Sequence, residues 1–339
     1  MNYRGSILAS TQAIRLIGGF ILAVLVLGLG VHGALAGEVN PQNRASSRDF
    51  FNTYYLAPDA AINWTGDRAT CNPGDTDPAF RDAALLRLNY YRAMAGVPAS
   101  VTFSDTYNAK DQKAALMMSA NADISHSPPT TWTCYKPDGA EAASKSNLLL
   151  GTIGRTAIDR YMKDQGSANG AVGHRRWILY PQTQLMGTGD IPGPGWVANA
   201  LWVIDSHLSD PRPPTREEFV AWPPPGYVPY QVVYARWSFS YAGANFSSAT
   251  VTMTQGGASV PVAVETLDTE YGENTLVWIP LGLGSSQSWP KPLKDMPYMV
   301  TISNVIIGTE TRTFTYKVTV FDPAKAPGVP IGTLWLLLD

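Results

Sequence analysis

The stretch NGAVGHRRWILYP, residues 169–181, decides how the fold of this chain is interpreted. One of only four histidines, His174, follows a glycine-containing loop here and stands directly before two arginines and a tryptophan. A structural segment, a metal site and a catalytic base would each produce such a stretch. Trp177 to Leu179 are expected in the core, because they lead towards the first strand-like run of this part of the chain.

Length and composition limit the possible functions. The chain has 339 residues, enough for two domains, and 45% of them are hydrophobic, so it can bury a sizeable core. Its formal net charge is -2 and only 15% of its residues are charged. A basic field of the kind that nucleic-acid binding needs is absent from this composition, which excludes that class of partner.

The N-terminus predicts export. Arg4 and Arg15 precede an uncharged run, and Ala34-Leu35-Ala36 fits the small-residue rule for signal-peptidase cleavage after Ala36. We therefore expect a secreted or periplasmic protein that does not contact the membrane after cleavage. The alternative is an uncleaved N-terminal anchor, because the uncharged run is long enough to span a bilayer.

The two cysteines, Cys71 and Cys134, predict one disulfide. An exported chain meets an oxidising compartment, in which a pair of cysteines is typically oxidised. Sixty-two residues lie between them. Closing a loop of that length stabilises a fold by about 4 kcal/mol in the chain-entropy treatment.

The pattern of hydrophobic residues changes at a proline-rich segment, residues 210–230, which holds seven prolines and is expected to be a stiff connector. Before it, helical periodicity predicts helices near residues 80–95, 105–122 and 157–164, followed by strands near 184–189 and 198–204. The predicted organisation is a signal peptide at 1–36, an N-terminal extension at 37–76, a helix-rich domain at 77–209, the connector at 210–230, a β-sandwich at 231–323 and a C-terminal tail at 324–339.

After the connector, apolar residues recur at every second position. Apolar residues alternate with serine and threonine in the runs 237–241, 250–254 and 314–320. Several such half-buried strands within about 100 residues are typical of an immunoglobulin-like β-sandwich. The predicted fold class is α+β, with a helix-rich domain followed by an all-β sandwich.

Two histidines are candidates for chemistry. His126 lies in ISHSPP, just after the second predicted helix, and 47 residues lie between it and His174. Two imidazoles with one or two carboxylates commonly hold a divalent cation such as Zn²⁺, and the available acids are Glu141 and Asp164. Such a pair could also be unrelated structural histidines, and His207 in IDSHLSD is expected at the surface. No GxSxG, HExxH or Walker motif occurs in the chain.

The motifs of this chain, taken in order, resemble those of a known protein family. LNYYRAMAGVP (88–98), ISHSPP, KSNLLLG (145–151), VGHRRWILYP and MGTGD together resemble a bacterial member of the CAP superfamily, which holds the cysteine-rich secretory proteins, antigen 5 and the pathogenesis-related proteins. The resemblance covers about residues 77–207. It implies an α/β/α sandwich with a central cleft lined by two histidines and two acids, where several members bind divalent metal. The later β-sandwich resembles a module attached to some bacterial CAP proteins.

The resemblance assigns His126 and His174 to the histidine pair. Ser146 stands where the family has one acid, and Asp164 is a shortened version of the other. Glu141, five residues before Ser146, is a substitute candidate.

The incomplete set of acids leaves two functions open. We favour a non-catalytic binding protein for a small hydrophobic ligand or an extracellular surface, because losing an anionic ligand weakens a metal site. The alternative is a metal-assisted, peptidase-like hydrolase, with zinc on His126 and His174 and with Glu141 or Asp164 as general base. Of Arg175 and Arg176, one is expected to pair with a carboxylate or a helix C-terminus, and the other to be solvated.

Overall fold

The computed structural model describes residues 37–282 and 289–326, which belong to one compact unit. The predicted signal peptide and most of the predicted C-terminal tail lie outside the described residues. In the described part of the chain, no helix is both long enough and apolar enough to cross a membrane.

Six α-helices precede the proline-rich segment in the described chain. They are α1 (Arg44–Phe50, continued by a π-helical turn Phe51–Tyr55), α2 (Pro78–Ala95), α3 (Asp105–Asn121), α4 (Pro137–Lys145), α5 (Gly154–Lys163) and α6 (Gly173–Ile178).

Local sequence sets the ends of the two longest helices. Asp77 caps α2 by accepting a hydrogen bond from the Ala79 amide, and Gly96 ends it at φ 78°, a left-handed conformation that glycine adopts without strain. Ser104 caps α3 through the amide of Tyr107. The three helices expected from periodicity are confirmed, and the third begins at Gly154, earlier than expected.

The first sheet lies between two layers of helices. Its strands are β1 (Thr102–Phe103), β2 (Ser146–Leu150), β3 (Leu185–Ile191) and β4 (Ala198–Trp202), in the order β1-β3-β4-β2. Ala200 and Trp202 pack in the core on the side of α3 and α4, whereas Leu201 between them packs in the core that holds α2 and α5. Gly189 lets α3 approach closely, because a Cβ atom there would collide with the backbone of Asp111. The α/β/α sandwich is confirmed.

Ten further strands form two sheets. The strands are β5 (Val220–Trp222), β6 (Gly226–Pro229), β7 (Trp237–Ser240), β8 (Ala244–Asn245), β9 (Thr250–Gln255), β10 (Ala258–Val260), β11 (Val262–Val264), β12 (Thr275–Pro280), β13 (Met296–Ile307) and β14 (Glu310–Phe321). One sheet has the order β10-β9-β13-β14-β6, with β8 beside β13, and the other has the order β11-β12-β7-β5. Their inner faces meet where the ring of Phe239 lies 5.1 Å from that of Phe314, so the predicted all-β sandwich is confirmed.

The segment expected to be a stiff connector, residues 210–230, also supplies β5 and β6, which corrects that expectation. β5 pairs with β7 and β6 pairs with β14, each at the edge of its sheet. Edge strands tolerate proline because one side of their backbone needs no hydrogen bonds, so a high proline content did not exclude strands here.

The region before α2 contacts both parts of the chain. The Arg44 guanidinium donates to the Asp295 carboxylate at 2.9 Å, beside β13, and the Arg87 side chain on α2 donates to the carbonyl of Tyr55 at 2.6 Å. Cys71 and Cys134 form the predicted disulfide, with their Cα atoms 5.1 Å apart. This N-terminal region therefore joins the helical domain to the β-sandwich.

Candidate functional site

A cleft of about 370 Å³ lies at one end of the first sheet, where β2 begins and the chain leaves β4. The side chains that line it include His126, Ser146, His174, Trp177, Glu270 and Tyr271. The fold thus brings together two histidines that are distant in sequence, and it adds two residues from the β-sandwich.

His174 is held by Asp164. Asp164 ends α5 in a left-handed conformation at φ 51°, and its Oδ1 lies 2.7 Å from His174 Nδ1. Its Oδ2 accepts a hydrogen bond from the His174 amide at 3.0 Å, at the start of α6. The Asp164 side chain has no exposed surface. Asp164 therefore orients the imidazole, and its expected service as a metal ligand or general base stays a prediction.

His126 is oriented in the same way. Its Nδ1 lies 2.7 Å from the carbonyl oxygen of Ala143, at the end of α4. Because both rings have an acceptor at Nδ1, each neutral ring carries its proton there and has a lone pair on Nε2. Neither Nε2 atom makes a hydrogen bond to a described residue. The two histidines therefore offer two hydrogen-bond acceptors to the cleft.

Ser146 contacts the buried carboxyl group of Asp111. Its Oγ donates to Oδ1 of Asp111 at 2.8 Å, and the Trp202 amide donates to Oδ2 at 2.8 Å. Burial raises the pKa of Asp111 to about 8, although these two hydrogen bonds act in the opposite direction. Asp111 was missed from the sequence because it lies on α3 in a polar run that looks exposed. Its helical spacing with Asn108 and Gln112, both also buried, is the signal that could have found it.

Glu141 is outside the cleft. Its carboxylate pairs with Lys110 at 2.6 Å and with Lys145 at 3.0 Å, and its side chain is 41% exposed. The hydrogen bond from Lys110, followed by that from Lys145, lowers its pKa. Glu141 is not among the residues that line the cleft, because its carboxylate is paired with the two lysines, and its role as the replacement acid stays a prediction.

The two arginines after His174 are both structural. Arg175 donates to the carbonyl of Met162 at 2.7 Å and so caps the end of α5, as expected for one of the pair. Arg176 was expected to be solvated, but it is only 5% exposed. It donates to the carbonyls of Asp268 at 2.8 Å and Glu273 at 3.0 Å. The β-sandwich covers it, which the local sequence could not show. Burial lowers the pKa of each arginine to about 10, so both remain cations at neutral pH.

Residues 268–273, which we call the wall loop, close one side of the cleft. The Tyr271 ring lies so near Gly173 that a Cβ atom at that glycine would stand 3.0 Å from it. The Arg176 guanidinium lies 5.5 Å from the centre of the same ring. Glu270 and Tyr271 were missed from the sequence, because no local pattern links a loop of the β-sandwich to two histidines far earlier in the chain.

The residues present do not fit a zinc site of the kind that the family resemblance implies. Protein zinc sites use at least three side-chain ligands. Among the described residues, no group of three or more histidines, cysteines, aspartates or glutamates is arranged to hold a metal ion. Asp164 is already engaged behind its histidine, and Glu141 faces the lysines.

His207 lies at a different place, beyond β4. Its Nδ1 lies 3.0 Å from Oδ2 of Asp205, and it lines a separate groove of about 490 Å³. Its side chain is partly exposed.

Comparison with known proteins identifies the helical domain. The model of the cysteine-rich secretory protein family, CAP, matches residues 85–205. No curated protein matches the chain. Among solved structures, PcoC, a methionine rich copper resistance protein from Escherichia coli, is 17% identical over 30% of this chain and 92% of its own, with a TM-score of 0.23. Its selenomethionine form is 15% identical over 30% of this chain and 94% of its own, with a TM-score of 0.22, and neither likeness supports a conclusion. Residues 85–205, with the α/β/α sandwich around them, form a CAP domain, and a β-sandwich follows this domain in the chain.

Proposed function

We propose that this chain is an exported CAP-domain binding protein that holds a small ligand in the cleft between His126 and His174 and releases it unchanged. The observation that carries the proposal is that both rings line one cleft and that each is anchored through Nδ1, by Ala143 or by Asp164. This anchoring leaves both Nε2 atoms as acceptors for a ligand. The disulfide and the predicted signal peptide support an extracellular or periplasmic location.

Binding fits this cleft better than hydrolysis does. A metal-assisted hydrolase needs a held cation and a base that reaches the attacking water. Glu141 is paired with two lysines outside the cleft, and Asp164 is covered by the imidazole that it orients. A volume of about 370 Å³ suits a small molecule or a short segment of a larger one. The two imidazole acceptors favour a ligand with hydrogen-bond donors over a purely hydrophobic one.

The proposal is tested by measuring equilibrium binding of small probes to the wild type and to a variant whose cleft is blocked. The probes are capped tripeptides, acetyl-Gly-X-Gly-amide with lysine, glutamate, norleucine or serine as X, together with cholesterol. Ala168→Trp places a large ring at an exposed position that lines the cleft, and Ala258→Trp makes the same change on the exposed edge strand β10.

The wild type and A258W should bind at least one probe, and A168W should bind it about tenfold or more weakly, a loss of about 1.4 kcal/mol. Mass spectrometry should recover the probe intact. The proposal fails if no probe binds, if A168W binds as well as the wild type, or if the probe is cleaved.

A further inference from the structure

The carboxylate of Glu270 is an unpaired negative charge in the cleft. Glu270 lines the same cavity as His126 and His174. Its backbone amide donates to Oδ1 of Asp268 at 2.8 Å, but its own carboxylate forms no hydrogen bond or ion pair with a described residue. An unneutralised carboxylate in a concave site gives that site a negative potential, which attracts cations.

The fold fixes the backbone that carries this charge. Arg176 donates to the carbonyl of Asp268 on one side of Glu270 and to the carbonyl of Glu273 on the other. Tyr271 packs on Gly173 immediately before His174. Both anchors belong to the segment that carries His174, so the backbone of Glu270 is held beside that histidine, while its side chain is exposed at the cleft.

The other groups of the cleft are also suited to a donor or a cation. The Nε2 atoms of His126 and His174 are acceptors in the neutral rings, and the aromatic side chains of Trp177 and Tyr271 also line the cleft. Lys145 is the one lysine or arginine among the described lining residues, and it shares the Glu141 carboxylate, at 3.0 Å, with Lys110, at 2.6 Å.

We infer that the wall loop selects the ligand of the cleft, and that Glu270 makes the cleft prefer a ligand that carries a protonated amino group. This inference rests on the proposed function and adds the chemical class of the ligand. The β-sandwich thereby acts as a specificity element, because it supplies the charge that distinguishes one ligand from another.

Two nearly isosteric probes test the inference. Acetyl-Gly-Lys-Gly-amide carries an ammonium group, and the norleucine peptide has an apolar chain in its place. The wild type should bind the lysine peptide about fivefold more tightly at low ionic strength, the effect of a solvent-accessible ion pair. Glu270→Gln should remove this preference, and high salt should reduce it in the wild type. Glu310→Gln, the same change at an exposed position on β14, should leave it intact.

Equal binding of the two peptides by the wild type, or a preference that survives in E270Q, overturns the inference. If the wild type binds the two peptides equally and A168W binds both more weakly, the proposed role of Glu270 is wrong while the proposed function stands. If neither these peptides nor any other probe binds, the proposed function fails as well.

Discussion

The two carboxylate oxygens of Asp164 contact the same residue: Oδ1 lies 2.7 Å from Nδ1 of His174, and Oδ2 accepts the His174 backbone amide at 3.0 Å. A carboxylate used in this way sets both the start of α6 and the orientation of the ring. The acidic residue that the family resemblance places in the cleft is therefore a positioning residue in this chain.

Asp164→Asn should uncouple the ring from the helix. Asparagine tolerates the left-handed backbone at φ 51°, but it has one acceptor oxygen where aspartate has two. We expect a loss of about 1–3 kcal/mol in the free energy of unfolding, because one donor at His174 loses its partner. Imidazole ¹⁵N shifts should also show that His174 leaves the tautomer with its proton on Nδ1. Asp210→Asn, at an exposed position, is the control, and equal urea midpoints for wild type and D164N would contradict the assignment.

Asp111 should make stability depend on pH. Its pKa is raised from 3.8 to about 8 in the folded chain, mainly by burial. Between these values the folded state binds more protons than the unfolded state, so this contribution to stability falls as pH rises from about 4 to 8. Asp111→Asn cannot lose a proton, and its stability relative to the wild type should rise over that window by up to roughly 1.4 kcal/mol per pH unit. Urea unfolding of both proteins at several pH values measures this, and a constant difference between them would refute it.

Arg176→Ala should loosen the wall loop. The substitution removes donors to the carbonyls of Asp268 and Glu273, each a bond from a charged group. We expect a loss of about 2–4 kcal/mol of stability and faster amide exchange at residues 268–273, with β13 and β14 unchanged. Arg160→Ala, an exposed arginine on α5, controls for the change of charge. Unchanged exchange at the wall loop in R176A would show that Arg176 does not hold it.

The sequence predicted the elements whose pattern is local. The ends of α2 and α3 follow from Asp77, Gly96 and Ser104, and the alternation in β9 and in the first part of β14 follows from burial of one face. What the sequence could not show depends on distant contacts. Asp111 looked like an exposed helix residue, and Glu270 comes from a different domain. Arg176 was expected to be solvated because the part of the chain that covers it is far away in sequence.

Removing the disulfide should destabilise the fold without changing its architecture. Cys71 and Cys134 are 63 positions apart, and losing a cross-link over such a loop costs about 4 kcal/mol. The double variant Cys71→Ser, Cys134→Ser should unfold at a lower urea concentration, and reduction of the wild type should reproduce that midpoint. A midpoint equal to that of the oxidised wild type would show that the cross-link contributes nothing to stability.

The central claim is that His126 and His174 contact one ligand in one cleft without turnover. Imidazole ¹⁵N and ¹H resonances, followed while the tightest-binding probe is added, measure this directly, and His207 in its separate groove serves as an internal reference. We predict that both cleft histidines shift along one binding curve, that His207 does not move, and that the probe is recovered unchanged. If only one cleft histidine shifts, if neither does, or if cleavage products appear, the account is wrong.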